Sequence, residues 1–176
     1  MARAEITDPA VVLEAAARFL EARPRSVQET RRRLVSAGYR ADLVEATIEG
    51  LVELGMLDDE AFARMWLESR DRAHPRGRRA LRQELRLKGI DDDIALQALD
   101  QRDLGREGSA EETTEEQVAQ RLLDRKRRLL DRLDDPRLRR SRAYELLTRA
   151  GFASDLASRL AASLNTPPDD DADLGT

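Results

Sequence analysis

Three glycines set the frame of this chain. Gly38, Gly89 and Gly151 are each preceded four residues earlier by a leucine (Leu34, Leu85, Leu147) and followed at once by an apolar residue (Tyr39, Ile90, Phe152). Each then has an aspartate at +4 (Asp42, Asp93, Asp155) and an aliphatic at +5 (Leu43, Ile94, Leu156). The pattern reads as a helix, a glycine in left-handed conformation, an apolar plug and a capped second helix. It implies a repeating unit of about 50 residues and three helices, in which stacked neighbours share a core. The second interval is longer than the first because an acidic insert around Glu107 to Glu112 precedes the third copy.

Helical periodicity fills the space between the glycines, and strand signals are absent. Val12, Ala16, Phe19 and Leu20 mark a first helix after Pro9. Ser26 and Glu29 form a capping box that opens a second, with Val27, Thr30 and Leu34 on one face. Asp42 caps a third, with Leu43, Ile48, Leu51 and Val52 as its apolar stripe and Gly55 as its stop. Asp58 or Asp59 opens the next, which carries Phe62 and Trp66; another runs from Arg78 to Leu87, and Asp91 or Asp92 opens the one after it. Thr113 and Glu116 make a second capping box for a helix reaching about Leu133, with Val118, Leu122, Leu129 and Leu133 inward. Asp135 with Pro136 starts the following one, carrying Leu138, Leu146 and Leu147, and Leu156, Leu160 and Leu164 mark the last. The fold class expected is all-α, an elongated array of three tandem three-helix units of helix-turn-helix-like form. The boundaries expected are 10–57, 58–101 and 113–164, with an acidic linker over 102–112 and a disordered acidic tail over 165–176.

Composition removes whole classes of function. The chain has no cysteine and a single histidine, His74, so thiol chemistry, cysteine zinc sites and histidine-pair metal sites drop out. No apolar run approaches the roughly 20 residues of a membrane span, and the first residues carry no basic-then-apolar signal pattern. A soluble, cytoplasmic protein is expected. Phosphate-binding loops and the G-x-S-x-G turn are absent, and Asp58, Asp59 and Asp91 to Asp93 stand where helix caps belong. The expectation is therefore a non-enzyme with no cofactor and no metal.

The formal net charge of −4 conceals strong segregation. Residues 18–40 hold seven basic and two acidic side chains; 41–63 hold seven acidic and none basic; 64–88 hold nine basic and three acidic. Residues 121–142 hold ten basic and four acidic. Arg31, Arg32 and Arg33 are consecutive and wrap most of a helical turn. Arg70, Arg76, Arg78, Arg79, Arg82, Arg86 and Lys88 crowd the middle, and Arg125 and Arg128 flank Lys126 and Arg127. Such arginines cover solvated faces and pair with acids on the next helix, or they form a track for a phosphodiester backbone or an acidic protein groove.

The motif set resembles the RecX family, regulators of the RecA recombinase. The residues that carry the likeness are Leu57 to Ala63 (LDDEAFA), Trp66, Ser69-Arg70, Arg82 to Leu85 (RQEL) and Lys88-Gly89-Ile90. Upstream, Arg23 to Ser26 (RPRS), Glu29 and Arg32 to Leu34 (RRL) extend it. It spans roughly Val12 to Leu164. Where the family often has Gly-Pro before the arginine-rich middle helix, this chain has Gly77-Arg78, with a proline earlier at Pro75. The resemblance implies a monomeric repressor of RecA in DNA repair, the SOS response and homologous recombination. It would occupy the groove or the growing end of the RecA filament on single-stranded DNA and suppress ATP hydrolysis, strand exchange and co-protease activity. Twelve of the cations named above, all from Arg31 to Arg128 except Lys126 and Arg127, would then meet that filament.

A direct, salt-sensitive DNA binder is the competing expectation. Against it, the second helix of the first unit, from Asp42 to Leu54, carries Glu45, Glu49 and Glu53 and no basic residue, the wrong sign for a recognition helix. Tyr39, Trp66, Tyr144 and the three phenylalanines read as core or plug residues rather than stacking platforms. Weak direct DNA contact stays compatible with both readings.

Overall fold

In the computed structural model of the chain, Gly38, Gly89 and Gly151 have left-handed backbones, with φ of +88°, +81° and +88°. The Tyr39 N–H donates to the Leu34 carbonyl, Ile90 to Leu85 and Phe152 to Leu147, at 3.4, 3.0 and 3.2 Å. The glycine N–H groups donate to Val35, Arg86 and Thr148. This double closure satisfies the last carbonyls of a helix and folds the residue after the glycine back over the leucine one turn inside. The fixed leucine–glycine–plug spacing of the sequence is the signature of that closure. Leu34, Leu85, Leu147, Ile90 and Phe152 are buried, and Tyr39 is half-buried.

The structure describes residues 8–104 and 115–164, and among them it is all helix and turn, with no strand. The helices are α1 (Pro9–Glu21), α2 (Val27–Ser36), α3 (Ala41–Glu53), α4 (Asp59–Ala73), α5 (Arg78–Leu87), α6 (Asp92–Leu104), α7 (Glu115–Leu130), α8 (Pro136–Arg149) and α9 (Ser154–Ser163). Helix α6 thus runs on past residue 102, where the acidic linker was expected to begin. The rest of that linker, Thr113 of the second capping box and the 165–176 tail lie outside the described residues.

Several local expectations need correction. Asp42 is not an N-cap: Arg40 holds that position without a side-chain cap bond, and Asp42 sits one residue inside α3, paired with Arg40 at 2.6 Å. Asp93 and Asp155 are likewise second residues of their helices. The recurring aspartate therefore acts on the exposed N–H groups of the first turn through its charge. Asp58 caps α4 through the Ala61 N–H at 2.9 Å, and Asp91 caps α6 through Asp93. Asp135 with Pro136 opens α8 as the sequence predicts. Helix α7 stops at Leu130, three residues short of Leu133. Its inward residue is Leu130, while Leu129 is exposed. Val52 and Leu138 are also exposed.

Contacts divide the chain into two compact units. One comprises residues up to Ser69 together with Arg82–Arg102; the other comprises Arg70–Leu81 together with residues from Asp103 onward. In the first, α1, α2 and α3 enclose Val12, Ala16, Leu34, Val44, Ile48, Leu51 and Leu57. In the second, α7, α8 and α9 enclose Val118, Leu123, Leu130, Leu147, Phe152, Leu156 and Leu160.

Each unit also contains a joint of the same design. In the first, the Ser26 hydroxyl donates to the carbonyl of Lys88, the residue before Gly89, at 2.6 Å, and Asp59, the first residue of α4, accepts from the Val27 N–H that opens α2 at 2.9 Å. In the second, the Gly77 N–H donates to the carbonyl of Ala150, the residue before Gly151, at 3.0 Å. Glu115, the first residue of α7, accepts from the Arg78 N–H that opens α5 at 3.1 Å. Ser26 lies 12 residues before Gly38 and Gly77 lies 12 before Gly89, so the two joints use equivalent positions. The departure from Gly-Pro gains a function here. Arg78 supplies the N–H that a proline lacks, and Glu115 takes it.

Candidate functional site

The structure sorts the twelve predicted cations by what they touch. On α2, Arg31 reaches α3 and clasps Glu45 with both Nε and a terminal nitrogen, at 2.8 and 2.9 Å, while its other terminal nitrogen donates to the Gln28 amide oxygen. On α5, Arg82 makes the same two-pronged clasp on Asp92 of α6. Arg31 lies seven residues before Gly38 and Arg82 seven before Gly89, so the clasp repeats with the repeat. Arginine suits it because its planar fork matches both carboxylate oxygens. The partner hydrogen bonds raise both guanidinium pKa values and lower those of Glu45 and Asp92.

Lys88 is held most firmly. Its Nζ lies 2.8 Å from Glu29 and 4.7 Å from the centre of the Trp66 ring, whose indole N–H donates to Glu84 at 3.1 Å. Glu29 also takes Arg23 at 3.1 Å. The capping box is consequently half formed. Ser26 Oγ accepts from the Glu29 N–H at 3.0 Å, but the Glu29 carboxylate turns to the two cations. Burial pushes that carboxyl up; the hydrogen bonds from Arg23 and Lys88 outweigh it and hold the pKa at about 2. Asp59 goes the other way, raised by burial against the lowering effect of its bond from Val27.

In the second unit, Arg78 pairs with Asp103 at 2.7 Å. Arg125 caps the end of α4, donating to the Ala73 and Arg72 carbonyls at 2.9 and 3.0 Å, where a cation meets the negative pole of the helix. Its neighbour Arg76 lines an open groove with His74, Lys126 and Arg149. Arg70 is half-buried on α4.

Beside Arg76, Arg82 and Arg125, five more of the twelve are exposed. Arg32 has only a long 3.5 Å approach to the Leu87 carbonyl, and Arg33 stands 5.9 Å from the centre of the Phe19 ring. Arg79, Arg86 and Arg128 are exposed, Arg86 adding its field to that of Arg82 on Asp92. These five come from α2, α5 and α7, the same helices that spend other arginines on internal pairs.

Sequence reasoning missed one cluster. Arg137, Arg140, Ser141 and Tyr144 share a face of α8 and line a groove with Ser158 and Ala161 of α9. Their i, i+3, i+4, i+7 spacing was a readable signal, masked by the assignment of Tyr144 to the core. Asp58 and Asp91 near helix starts cap α4 and α6. Among the described residues no group of three or more metal-ligating side chains converges, and no helix is long and apolar enough to cross a membrane.

Repeated three-helix groups, self-similar joints and exposed arginines beside partly committed acids in each unit define a helical repeat protein with cationic faces. Family profiles described as the first and second three-helix domains of RecX match residues 13–51 and 58–99. The regulatory protein RecX of Mycobacterium avium (strain 104) is 38% identical over 141 residues, covering 80% of this chain and 76% of that one. That of Mycobacterium sp. (strain JLS) is 36% identical over 146 residues, covering 80% and 74%. The crystal structure of RecX from Lactobacillus salivarius superposes with a TM-score of 0.68 at 23% identity, covering 89% of this chain and 96% of that one. The chain belongs to the RecX family of regulatory proteins.

Proposed function

We propose that this chain is a negative regulator of RecA that acts in the cytoplasm as a monomer, without a cofactor or catalysis of its own. It binds the RecA filament on single-stranded DNA, in the helical groove or at the growing end, and lowers ATP hydrolysis, strand exchange and co-protease activity. Family membership supports the regulatory role, since the relatives are named regulatory proteins. The observation that carries the filament reading is the recurrence of solvent-facing arginines on α2, α5 and α7: Arg32 and Arg33, Arg79 and Arg86, Arg128. Cations repeated along helical units suit a partner whose acidic surface also repeats.

The test is RecA ATPase on single-stranded DNA titrated with this protein, beside a control for DNA binding without RecA. Substituting Arg79→Glu and Arg86→Glu together is expected to raise the concentration needed for half-inhibition at least tenfold, with helical content unchanged. Arg78 and Arg82 are poor choices for reversal, because each holds an internal acid. Undiminished inhibition by the double variant would sink this assignment of the surface.

A further inference from the structure

Helix α8 carries five arginines and one acid. That acid, Glu145, is shared by Arg142 at 3.1 Å and Arg149 at 3.5 Å. Arg139 donates to the Leu133 carbonyl at 2.8 Å. The two remaining guanidinium groups, Arg137 and Arg140, are exposed and have neither an ion pair nor a hydrogen bond to the described protein. They stand on one face with Ser141 and Tyr144, a residue 36% exposed, over a groove of about 370 Å³ completed by Ser158 and Ala161 of α9. No acid lines it. At 1.5 Å rise per residue, Arg140 and Tyr144 are about 6 Å apart along the helix and Arg137 another 4.5 Å or so beyond.

We propose that this face of α8 is a contact site for single-stranded nucleic acid, with one base stacked on Tyr144 and phosphates to one side of it held by Arg140 and Arg137. Single-strand sites combine a cationic track with an exposed aromatic ring, because every base offers a flat π face and every nucleotide a charge. An acidic peptide would engage the two guanidinium groups but has no use for an aromatic ring one turn beyond them. Duplex DNA keeps its bases stacked on one another, so Tyr144 adds nothing to its binding. The hydroxyls of Ser141 and Ser158 supply hydrogen bonds to a phosphate or base edge. The site deepens the direct DNA contact expected beside the filament reading, and it is independent of whether RecA is inhibited.

The experiment measures binding of the full chain to a fluorescent oligothymidine and to a duplex of equal length, without RecA, over a range of salt. Tyr144→Ala is expected to weaken oligothymidine binding about tenfold and leave duplex binding and the melting temperature unchanged; Tyr144→Phe retains binding. Arg137→Gln with Arg140→Gln is expected to lower the slope of log affinity against log salt by about 1.4, two single-strand phosphate contacts. Full affinity for oligothymidine in Tyr144→Ala, an equal loss on duplex, or an unaltered salt slope overturns the proposal. So does competition by polyglutamate or by thymidine monophosphate as effective as that of the oligonucleotide. If RecA inhibition fails while these results hold, the site stands without the filament reading.

Discussion

Glu29 shows how far one side chain can depart from the role its sequence position suggests. Its backbone N–H takes part in the cap, but its carboxylate binds Arg23 and reaches Lys88, 59 residues further along the chain. The folded pKa of about 2 lies below the ordinary value near 4.3, so the folded state prefers the charged form. The stabilisation is fully present above about pH 4.3 and is lost as pH falls toward 2, on the order of 2 kcal/mol. Asp59, with a raised pKa, opposes this trend: its folded state takes up a proton more readily, so acidification relieves its burial penalty. Glu29→Gln is therefore expected to lower stability at pH 7 and to flatten its decline between pH 5 and 3. Denaturant melts at those pH values check this, and an acid-range decline as steep as that of the natural chain would refute it. None of this was legible in the sequence. The S-x-x-E spacing marked the helix start correctly, but Lys88 is brought to Glu29 only by the fold.

Helix ends were the most legible elements, because a left-handed closure restricts residue type at fixed offsets. The three glycines have the same backbone but different surroundings, and this separates their costs. A Cβ at Gly38 meets nothing within 4 Å, so Gly38→Ala suffers only the strain of positive φ, about 1 kcal/mol. A Cβ at Gly89 drives into the Cβ and Cγ of Gln28 on α2; one at Gly151 lies 2.5 Å from Ala80 Cβ and 2.7 Å from its backbone nitrogen. Those two alanine variants should lose about 1–3 kcal/mol more than Gly38→Ala, since neither a Cβ, fixed to its backbone, nor a backbone nitrogen can swing aside. Chemical denaturation of the three variants ranks them, and equal losses would contradict the joints. Gly77 was unreadable in this sense. Its backbone is not left-handed; it is glycine because it abuts the Gly151 carbonyl 74 residues away. Leu129 and Leu133 failed for a local reason: α7 ends at Leu130, so the phase carried to Leu133 selected the wrong leucine.

At the scale of the molecule, the net charge of −4 says little, because acids are spent in clasps such as Arg31–Glu45 and Arg82–Asp92 while other arginines stay open. The same economy governs stability. Each compact unit contains one joint, and both units draw on α4 and α5, whose ends at Arg70 and Leu81 belong with the later helices. Stability in a repeat chain is a sum of unit and nearest-neighbour terms, so weakening one joint need not melt the other. Trp66, the single tryptophan, reports on the first joint through its contacts with Lys88 and Glu84. Far-UV circular dichroism reports on all the helices together. Gly77→Val places a branched side chain against the Gly151 backbone and damages only the second joint. The expected outcome is a split: ellipticity falls early as α7, α8 and α9 loosen, while Trp66 fluorescence holds until a later transition. Asp59→Ala leaves the Val27 N–H that opens α2 without its acceptor at the first joint, about 1 kcal/mol, and should instead bring the Trp66 transition forward. Coincident transitions by both probes in Gly77→Val would mean that the two joints melt as one cooperative structure, and the nearest-neighbour account would fail.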